Sequence, residues 1–512
     1  MASRTELLLD DEFIEMTASV TRKIHQPSKH RLNPVLRPEQ WWEGHCVMPI
    51  ATLYDAEEKL FKTWYRTGPL GDPAGLIDGH ASYTAYATSP DGVNWDKPLL
   101  GAVELAGRRD HNVVMLSAGL NPHPRYQSQG KKLFIRSVIP HPSPRDESEK
   151  YVCMFFDQVN PGAYLGYSAD GIHWRRETQP FWRTLVDAAG WGDDTLMGLI
   201  WDSLKGRWVM YRRVNPQESE RLVARPGDED WPAPDRGMRV IAYADSPDIK
   251  HWENHRIIMI PDADDPADIE FYGLTCYNYA QVYVGYLWVY HMAPEDETID
   301  IQLTTSRDGI HFTRCCRREV FIPNGPHEYY DHEITVGEQH APIIVNDRVY
   351  LFYEACNYKH TQADSTRPDS VITGGLCTFN RDRFVSLQTG APEPCRVVTK
   401  PFVVDYPRLF LNAATWGDGV IQVEVLGRDW RVIDGFTAQE ANRIQGNALN
   451  HPVRWTSKPD LAPLVGKQVR LKLNMSDARL HALHFDTEER PLKELPPLPA
   501  TGSGHAELPV DV

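Results

Sequence analysis

The stretch Ser89-Pro90-Asp91-Gly92-Val93-Asn94-Trp95 decides the fold of this chain, because closely similar stretches recur along it. Three clear copies and one weaker copy follow it, at Ser168–Trp174, Ser246–Trp252, Ser306–Phe312 and Asn380–Phe384. The aspartates of the five copies stand at positions 91, 170, 248, 308 and 382, which gives steps of 79, 78, 60 and 74 residues. A repeat of this length indicates a recurring supersecondary unit.

Each copy has the composition of a tight turn between two β-strands. An alternating apolar run such as Tyr83–Thr88 precedes the turn, an Asp-Gly pair in most copies tolerates positive φ, and an aromatic residue follows. A second hairpin pattern lies upstream, in Leu53–Tyr65, Ile200–Tyr211 and Ile343–Tyr353. Two hairpins make a four-stranded sheet, and five such sheets around one axis predict an all-β fold, a five-bladed β-propeller.

The rest of the chain divides around this repeat. The propeller is expected over residues 36–392, and alternating strands broken by glycine and asparagine predict a C-terminal β-sandwich over residues 400–486. The proline-rich tail, residues 487–512, is expected to lie disordered or strapped along the surface. In the N-terminal segment, residues 1–35, the strand-like run Glu6–Ile14 would either close the ring or pack on the C-terminal module, and we favour ring closure.

Composition and charge restrict the partners. The net charge of −16 in 512 residues, without a basic stripe, argues against binding to nucleic acid or to an anionic membrane surface and favours a neutral ligand. Eight cysteines without a CxxC pair predict reduced thiols. No apolar stretch is long enough for an export signal or a membrane span, so a cytoplasmic location is expected.

Acidic residues and histidines collect where the innermost strand of each blade is expected to begin. The five positions are Trp41-Trp42-Glu43-Gly44-His45, Arg109-Asp110-His111-Asn112, Trp191-Gly192-Asp193-Asp194-Thr195, Asp268–Gly273 and Asp331-His332-Glu333, with Glu338 and His340 close behind. Because inner strands surround the channel of a propeller, these side chains are expected to meet over one pit. Carboxyl groups held together in this way acquire different pKa values, which suits the cleavage of a glycosidic bond.

The repeated turn and the strand-rich C-terminal segment resemble the five-bladed propeller superfamily of invertases, levansucrases and arabinanases, over roughly residues 36–486. The resemblance is closest to bacterial proteins similar to the N-terminal domain of glycoside hydrolase family 32. It implies a first-blade carboxylate as nucleophile or base, an aspartate near the third blade that stabilises the transition state, and a glutamate near the fourth as general acid. By position these roles fall on Glu43, Asp194 and Glu270, while Asp110 is an alternative for the second. The invertase phrase Asn-Asp-Pro-Asn-Gly is absent from this chain.

The remaining polar and aromatic residues at the strand starts are expected to bind substrate, through hydrogen bonds to sugar hydroxyls and through stacking on a sugar ring. They are Asp193, His45, His111, Trp42, Tyr272, His332, Glu333 and Glu338. The histidines at 45, 111, 332 and 340 show no tight ligand spacing, so neither a metal nor another cofactor is predicted.

The sequence therefore predicts a glycoside hydrolase that cleaves a terminal glycosidic bond of a small oligosaccharide or glycoside. The resemblance favours furanosides such as fructosides or arabinosides. A propeller polysaccharide lyase acting on a uronate-containing sugar is the first alternative, since Arg109, Arg136, Arg212 and Arg213 could make the channel basic. A sugar-binding protein without turnover is the second, and a homo-oligomer remains open.

Overall fold

The computed structural model describes residues 3–69, 76–117, 131–157, 162–182, 198–214, 238–293, 296–338, 341–360, 370–390 and 394–498. These ranges contain 31 β-strands, β1 to β31, and three short 3-10 helices, at Glu147–Glu149, Cys316–Arg318 and Ala462–Leu464. No α-helix occurs within them, so the all-β prediction is confirmed. In the same ranges, no helix has the length and the apolar character needed to cross a membrane.

The first three repeats each form a group of four consecutive antiparallel strands. The first group consists of β5 (Val47–Asp55), β6 (Leu60–Thr67), β7 (His80–Ser89) and β8 (Val113–Met115). The second consists of β9 (Lys131–Pro140), β10 (Tyr151–Asp157), β11 (Ala163–Ser168) and β12 (Arg175–Arg176). The third consists of β13 (Leu199–Asp202), β14 (Arg207–Val214), β15 (Val240–Ser246) and β16 (Glu253–Met259).

The last two repeats have the same order with short additional strands. The fourth group consists of β17 (Ile269–Tyr279), β18 (Val282–His291), β19 (Ile299–Ser306), β20 (Phe312–Arg314) and β21 (Val320–Ile322). The fifth consists of β22 (Ile334–Gly337), β23 (Ile343–Val345), β24 (Arg348–Cys356) and β25 (Ile372–Asn380).

Neighbouring groups contact one another in chain order. Strand β5 contacts β9, β9 contacts β13, β13 contacts β17, and β18 contacts β22. Strand β24 of the fifth group contacts β5 of the first. Each group therefore touches the next one, and the last touches the first.

The repeated phrase forms a turn that its own side chains hold in place. Ser89 Oγ accepts a hydrogen bond of 2.8 Å from the N–H of Gly92, and Asp91 Oδ1 accepts from the N–H groups of Val93 and Asn94 at 2.8 Å. The copies that begin at residues 168 and 306 make the same contacts. Gly92 has a φ of +78°, which explains why glycine stands at this position in the phrase.

The fifth copy, Asn380–Phe384, does not close a hairpin, so that prediction is wrong for this repeat. The strand after it, β26 (Val385–Thr389), pairs with β3 (Val20–Ile24) and with the C-terminal strand β31 (Gln468–Asp486). Strand β4 (Ser28–Lys29) instead lies beside β25. Arg383 contacts the C-terminal sheet at this point, where its Nε donates a hydrogen bond of 2.9 Å to Asn412 Oδ1.

The C-terminal sheet combines both ends of the chain. Its C-terminal strands are β26, β27 (Cys395–Thr399), β28 (Phe402–Val403), β29 (Arg408–Leu426), β30 (Asn447–Pro452) and β31. Its N-terminal strands are β1 (Ser3–Leu7), β2 (Ile14–Ala18) and β3, which pair with β31, β27 and β26. The sequence assigns the run Glu6–Ile14 to ring closure, whereas the structure pairs its first residues with β31 and gives the pairing with β25 to Ser28–Lys29.

The described part of the tail runs along the surface as a strap. Lys493 donates from Nζ to the backbone oxygen of Asn346 and forms an ion pair of 2.9 Å with Asp347. The N–H of Leu495 donates to the backbone oxygen of Asn447 at 2.7 Å. These contacts fasten the tail to both the fifth group and the C-terminal sheet.

Candidate active site

A cavity of about 240 Å³ opens where strands β5, β17 and β22 begin and where β6 and β24 end. In antiparallel groups the start of the first strand and the end of the second lie at the same rim, which is why these segments meet. The charged and aromatic side chains of its wall include Arg66, Arg136, Tyr272, Trp288, Glu354 and His360. The cavity therefore lies at the rim where the first strands of three groups begin.

Glu354 supplies a carboxyl group to the cavity wall from the end of β24. Burial raises the pKa of this carboxyl group to about 7, while the nearby charges of Arg136 and Arg66 oppose the rise. Burial likewise lowers the pKa of Arg136, with further contributions from Arg66 and Arg213, to about 9, which leaves its guanidinium charged at neutral pH. Glu354 can therefore exchange a proton near neutrality beside a fixed positive charge.

Tyr272 reaches the cavity because of an irregularity in β17. The register against β18 shifts between Phe271 and Gly273, so Tyr272 is the extra residue of a β-bulge, a common device near functional sites. The guanidinium carbon of Arg213 lies 4.2 Å from the centre of its ring, and its hydroxyl lies 2.9 Å from Nε2 of His360. Tyr272 thus links the third, fourth and fifth groups at the cavity.

Trp288 forms another part of the wall. A β-carbon at Gly273 would lie 2.4 Å from its indole ring, so glycine makes room for it. The side chain is 3% exposed, and among the described residues its Nε1 has no hydrogen-bond partner. The Nε1 atom is itself buried, so it does not face the open space of the cavity.

Glu270 lies next to this wall at the start of β17. It is 4% exposed, and its Oε2 forms an ion pair of 2.6 Å with Nη1 of Arg239. The guanidinium carbon of Arg239 lies 5.4 Å from the ring centre of Tyr290 and 5.9 Å from that of Tyr272. Glu270 itself does not line the cavity, and its link to the wall runs through Arg239 to Tyr272.

Glu43, predicted as the first-blade carboxylate, does not line the cavity. It is fully buried and accepts hydrogen bonds from the backbone N–H groups of Glu39 and Gln40, at 2.7 and 3.0 Å. The hydroxyl of Tyr65 donates to it at 2.8 Å, and Nζ of Lys97 forms an ion pair with it at 2.8 Å. The catalytic role of Glu43 stays a prediction, and these four donors already occupy both carboxylate oxygens.

The other predicted residues of the first two groups also lie away from the cavity lining. Asp110 is exposed and bonded to Arg108, whose hydrogen bonds lower the pKa of its carboxyl group to about 2. Trp42 donates from Nε1 to Asn112 Oδ1 at 2.8 Å, and the ring of His111 lies 6.0 Å from its ring. His45 is half-buried beside the fifth group, since its backbone oxygen accepts from the N–H of residue 372 at 3.0 Å.

Three predicted residues flank the segment of β22 that lines the cavity, and none of the three lines it. His332 and Glu333 pair with each other at 3.0 Å just before β22. Glu338 follows Gly337, which does line the cavity, and its Oε1 accepts a hydrogen bond of 2.5 Å from Thr52 Oγ1. Burial raises the pKa of Glu338 to about 8, so its carboxyl group is largely protonated at neutral pH.

Asp193, Asp194 and His340 lie outside the described residues, and their roles stay predictions. Of the other predicted residues, Tyr272 lines the cavity and Glu270 adjoins it. Arg66, Glu354 and His360 line the cavity and were not predicted from the sequence. Within the described ranges, no group of three or more His, Cys, Asp or Glu side chains could hold a metal ion.

No known protein-family profile matches the sequence, and no curated protein matches it. Solved structures with a similar layout include a glycoside hydrolase at 14% identity and a TM-score of 0.45, covering 70% of this chain and 93% of that one. A fructofuranosidase variant from Schwanniomyces occidentalis complexed with fructosylnystose has 11% identity and a TM-score of 0.42, covering 93% and 99%. A family 43 arabinoxylan arabinofuranohydrolase from Bacillus subtilis has 12% identity and a TM-score of 0.40, covering 90% and 99%. These values are low, so a functional assignment has to come from the cavity itself.

Proposed function

We propose that the protein is a glycoside hydrolase with its active site in the cavity beside Tyr272, on a five-bladed β-propeller followed by a C-terminal β-sandwich. The cyclic contacts of the five groups, from β5 through β24 and back to β5, support the propeller. The long strands β29 and β31, which pair with each other, support a separate C-terminal unit. The eight free cysteines fit the reducing conditions of the cytoplasm, where we place the protein.

The observation that carries the proposal is the contrast between Glu354 and Glu270. Cleavage of a glycosidic bond needs one carboxyl group that gives a proton to the leaving oxygen and one carboxylate that attacks carbon or activates water. The carboxyl group of Glu354 has a pKa of about 7 because it is buried, so it can serve as the acid. Glu270 is paired with Arg239 and supplies the carboxylate.

The reaction then divides between these residues. Glu354 gives its proton to the glycosidic oxygen as the bond to the anomeric carbon breaks, and the leaving alcohol departs neutral. The carboxylate of Glu270 either bonds to the anomeric carbon, until water that gives its proton to Glu354 displaces it, or takes a proton from water that attacks this carbon directly. Asp194 is the third carboxylate that the sequence resemblance implies. The same resemblance favours a terminal furanoside of a small oligosaccharide or glycoside as the substrate.

A panel of aryl furanosides and pyranosides tests this assignment. We expect one of them to be cleaved, and Glu354→Gln to lower kcat/KM by about 10²- to 10⁴-fold, the usual contribution of general acid catalysis. Glu57→Gln is the matched control, because Glu57 is exposed in the turn between β5 and β6, at the end of this hairpin opposite the cavity lining. Cleavage that Glu354→Gln leaves unchanged would contradict the proposal.

The contact between Tyr272 and His360 favours a second candidate, a polysaccharide lyase. Elimination from a uronate needs a base that removes the proton beside the carboxylate and a cation that neutralises that carboxylate. The hydroxyl of Tyr272 and Nε2 of His360 are 2.9 Å apart, and Arg66 and Arg136 lie in the same wall. The ultraviolet absorbance of the new double bond would identify this reaction, and hydrolysis gives no such signal.

A further inference from the structure

The turn after β15 departs from the repeated phrase at one position. In the copies that begin at residues 89, 168 and 306, the fourth residue is a glycine with a φ of +78°, +78° and +71°. The copy that begins at Ser246 has Ile249 at this position, with a φ of +69°. A β-branched residue is an outlier in this left-handed region, and such outliers cluster at functional sites. The turn itself does not explain Ile249, since glycine forms it without strain.

The surroundings of this position also differ between the copies. A β-carbon at Gly171 would lie 2.5 Å from the ring of Trp64, and one at Gly309 would lie 2.9 Å from the hydroxyl of Tyr211. In those turns an aromatic side chain of the preceding group therefore fills the space beside the glycine. Between the second and third groups, Ile249 is 4% exposed and lines a second cavity, which has a volume of about 410 Å³.

The second cavity lies at the other ends of the strands from the candidate active site. Arg136 of β9 lines the first cavity, and His141, which follows β9, lines the second. Five residues of extended chain span roughly 16 Å, so the two cavities are separate sites. The volume of the second cavity falls within the range of roughly 300–1,000 Å³ that is typical of ligand pockets.

Four aromatic side chains line the second cavity, Trp201, Trp208, Tyr167 and His141. The ring centres of Trp201 and Trp208 are 5.3 Å apart, and the ring of His141 lies 5.7 Å from that of Trp208 and 6.1 Å from that of Tyr167. Trp201 is only half-buried, so part of its indole surface stays open. An open aromatic surface can pack against the C–H groups of a sugar ring.

Two polar groups of these aromatic side chains are available to a ligand. Nδ1 of His141 accepts a hydrogen bond of 3.1 Å from the N–H of Ser143, so Nε2 carries the proton of the neutral ring. Burial raises the pKa of Tyr167 to about 12, so its hydroxyl stays protonated at neutral pH. Among the described residues, neither His141 Nε2 nor the Tyr167 hydroxyl has a hydrogen-bond partner. A hydroxyl and an N–H donor suit the hydroxyl groups of a sugar.

The charged side chains of the lining are compensated within the lining. Nε of Arg145 donates a hydrogen bond of 3.0 Å to Glu149, and Lys250 forms an ion pair of 3.2 Å with Glu177. The third carboxylate, that of Asp248, accepts hydrogen bonds from the N–H groups of residues 250 and 251 in its own turn. Each cation of the lining therefore has a carboxylate partner, which favours a neutral ligand over an ionic one.

We propose that the second cavity binds a neutral carbohydrate, with the sugar ring against Trp201 and its hydroxyls bonded to Tyr167 and His141. Ile249 forms the apolar wall between the two groups, which is a role that glycine cannot fill. The site holds a carbohydrate without cleaving it. It is a binding site apart from the candidate active site, and it does not depend on the proposed function.

Isothermal titration calorimetry with neutral sugars tests the proposal. The probes are D-glucose, D-xylose, L-arabinose, D-fructose, sucrose and cellobiose. We expect at least one of them to bind with a Kd on the order of 1 mM or tighter. Trp201→Ala should weaken that binding by roughly tenfold or more, because it removes the surface under the ring. Tyr167→Phe removes one hydrogen bond and should weaken the binding by roughly two- to tenfold.

The control is Trp430→Ala, since Trp430 is a tryptophan of the C-terminal sheet that is 45% exposed. It should leave the binding unchanged. Failure of all six sugars to bind the wild type overturns the proposal, and so does binding that both Trp201→Ala and Tyr167→Phe leave unchanged. If Trp201→Ala does not fold, as judged by circular dichroism, Tyr167→Phe decides, because it removes a single oxygen atom.

The outcome is separate from that of the glycosidase assignment. Binding that depends on Trp201, in a protein that cleaves no glycoside, would support the second cavity and contradict the hydrolase. Cleavage that depends on Glu354, without any binding that depends on Trp201, would do the reverse. A sugar that also enters the candidate active site gives a second binding event in the titration, which Trp201→Ala should leave in place.

Discussion

The hydroxyl of Tyr272 lies 2.9 Å from Nε2 of His360, and this contact joins the start of β17 to the loop that follows β24. Both side chains line the cavity that also contains Glu354. A tyrosine and a histidine in contact can move a proton, whereas two carboxyl groups in different environments can cleave a glycoside. The cavity thus contains the tyrosine, the histidine and one of the two carboxyl groups, and single substitutions distinguish the two proposed reactions.

Substitution of the tyrosine hydroxyl separates the two reactions. If the protein is a hydrolase, Tyr272→Phe removes one hydrogen bond near the substrate and should lower kcat/KM by about tenfold. If it is a lyase, the same change removes the base and should lower the rate by about 10²- to 10⁴-fold. Steady-state kinetics on the substrate found in the glycoside panel measures the difference. A loss above about 10²-fold would contradict the hydrolytic role of the two glutamates.

The pH dependence of activity should follow Glu354. Burial raises the pKa of Glu354 to about 7. Because its carboxyl group must be protonated for acid catalysis, kcat/KM should fall tenfold per pH unit above about pH 7. The positive charges of Arg136 and Arg66 oppose the rise in the pKa of Glu354 that burial causes. Glu354→Gln should abolish this basic limb, and Glu57→Gln should retain it. A rate that stays level from pH 6 to about pH 9 would argue against this acid.

Glu338 should make the wild-type protein less stable as the pH rises. Burial raises its pKa from 4.5 to about 8, so between these values the folded state binds the proton that the unfolded state has released. Its contribution to stability is therefore complete below about pH 4.5 and is lost as the pH rises through about 8. Glu338→Gln should be about 2 kcal/mol or more stable than the wild type at pH 9 and close to it at pH 5. Urea unfolding at both pH values measures this, and an equal difference at both would refute it.

The repeated turns should tolerate a β-carbon very differently from an open turn. At Gly171, with a φ of +78°, a β-carbon would lie 2.5 Å from Cζ2 of the buried Trp64. At Gly206, with a φ of +64°, it would meet nothing within 4 Å. Gly206→Ala should therefore cost about 1 to 2 kcal/mol of backbone strain, and Gly171→Ala a further 1 to 3 kcal/mol of overpacking. Chemical denaturation of the two variants gives the difference directly, and equal losses would show that Trp64 moves aside.

The strands could be predicted because a few neighbouring residues determine each turn between them. A serine, an aspartate and a glycine within four residues determine the backbone of each turn, and the structure shows those hydrogen bonds at residues 89, 168 and 306. The partner of a strand is not a local property. The fifth copy leads to β26, which pairs with strands from both ends of the chain. The residues Asn380–Phe384 do not indicate these partners. The five-bladed closure itself stays a prediction.

The predicted site and the cavity share one rim, but of the predicted side chains that the structure describes, Tyr272 alone lines the cavity. Tyr272 and Glu270 lie near the start of a first strand, whereas Arg66 and Glu354 lie near the ends of second strands, which return to the same rim. A signal was present in the sequence: Glu354 stands alone in the apolar run Val349–Cys356, as does Arg136 in Leu133–Val138. A charge inside a buried strand is costly and therefore marks a cavity or a partner.

The pairing of the N-terminal strands sets an order on biosynthesis. Strands β1, β2 and β3 leave the ribosome before the five groups, yet their partners β31, β27 and β26 are translated after them. Until then the nascent chain carries unpaired strand edges, and β4 must also wait for β25. A ribosome that stalls before β31 is complete would leave these early strands exposed to neighbouring chains, so their protection depends on translation through β31.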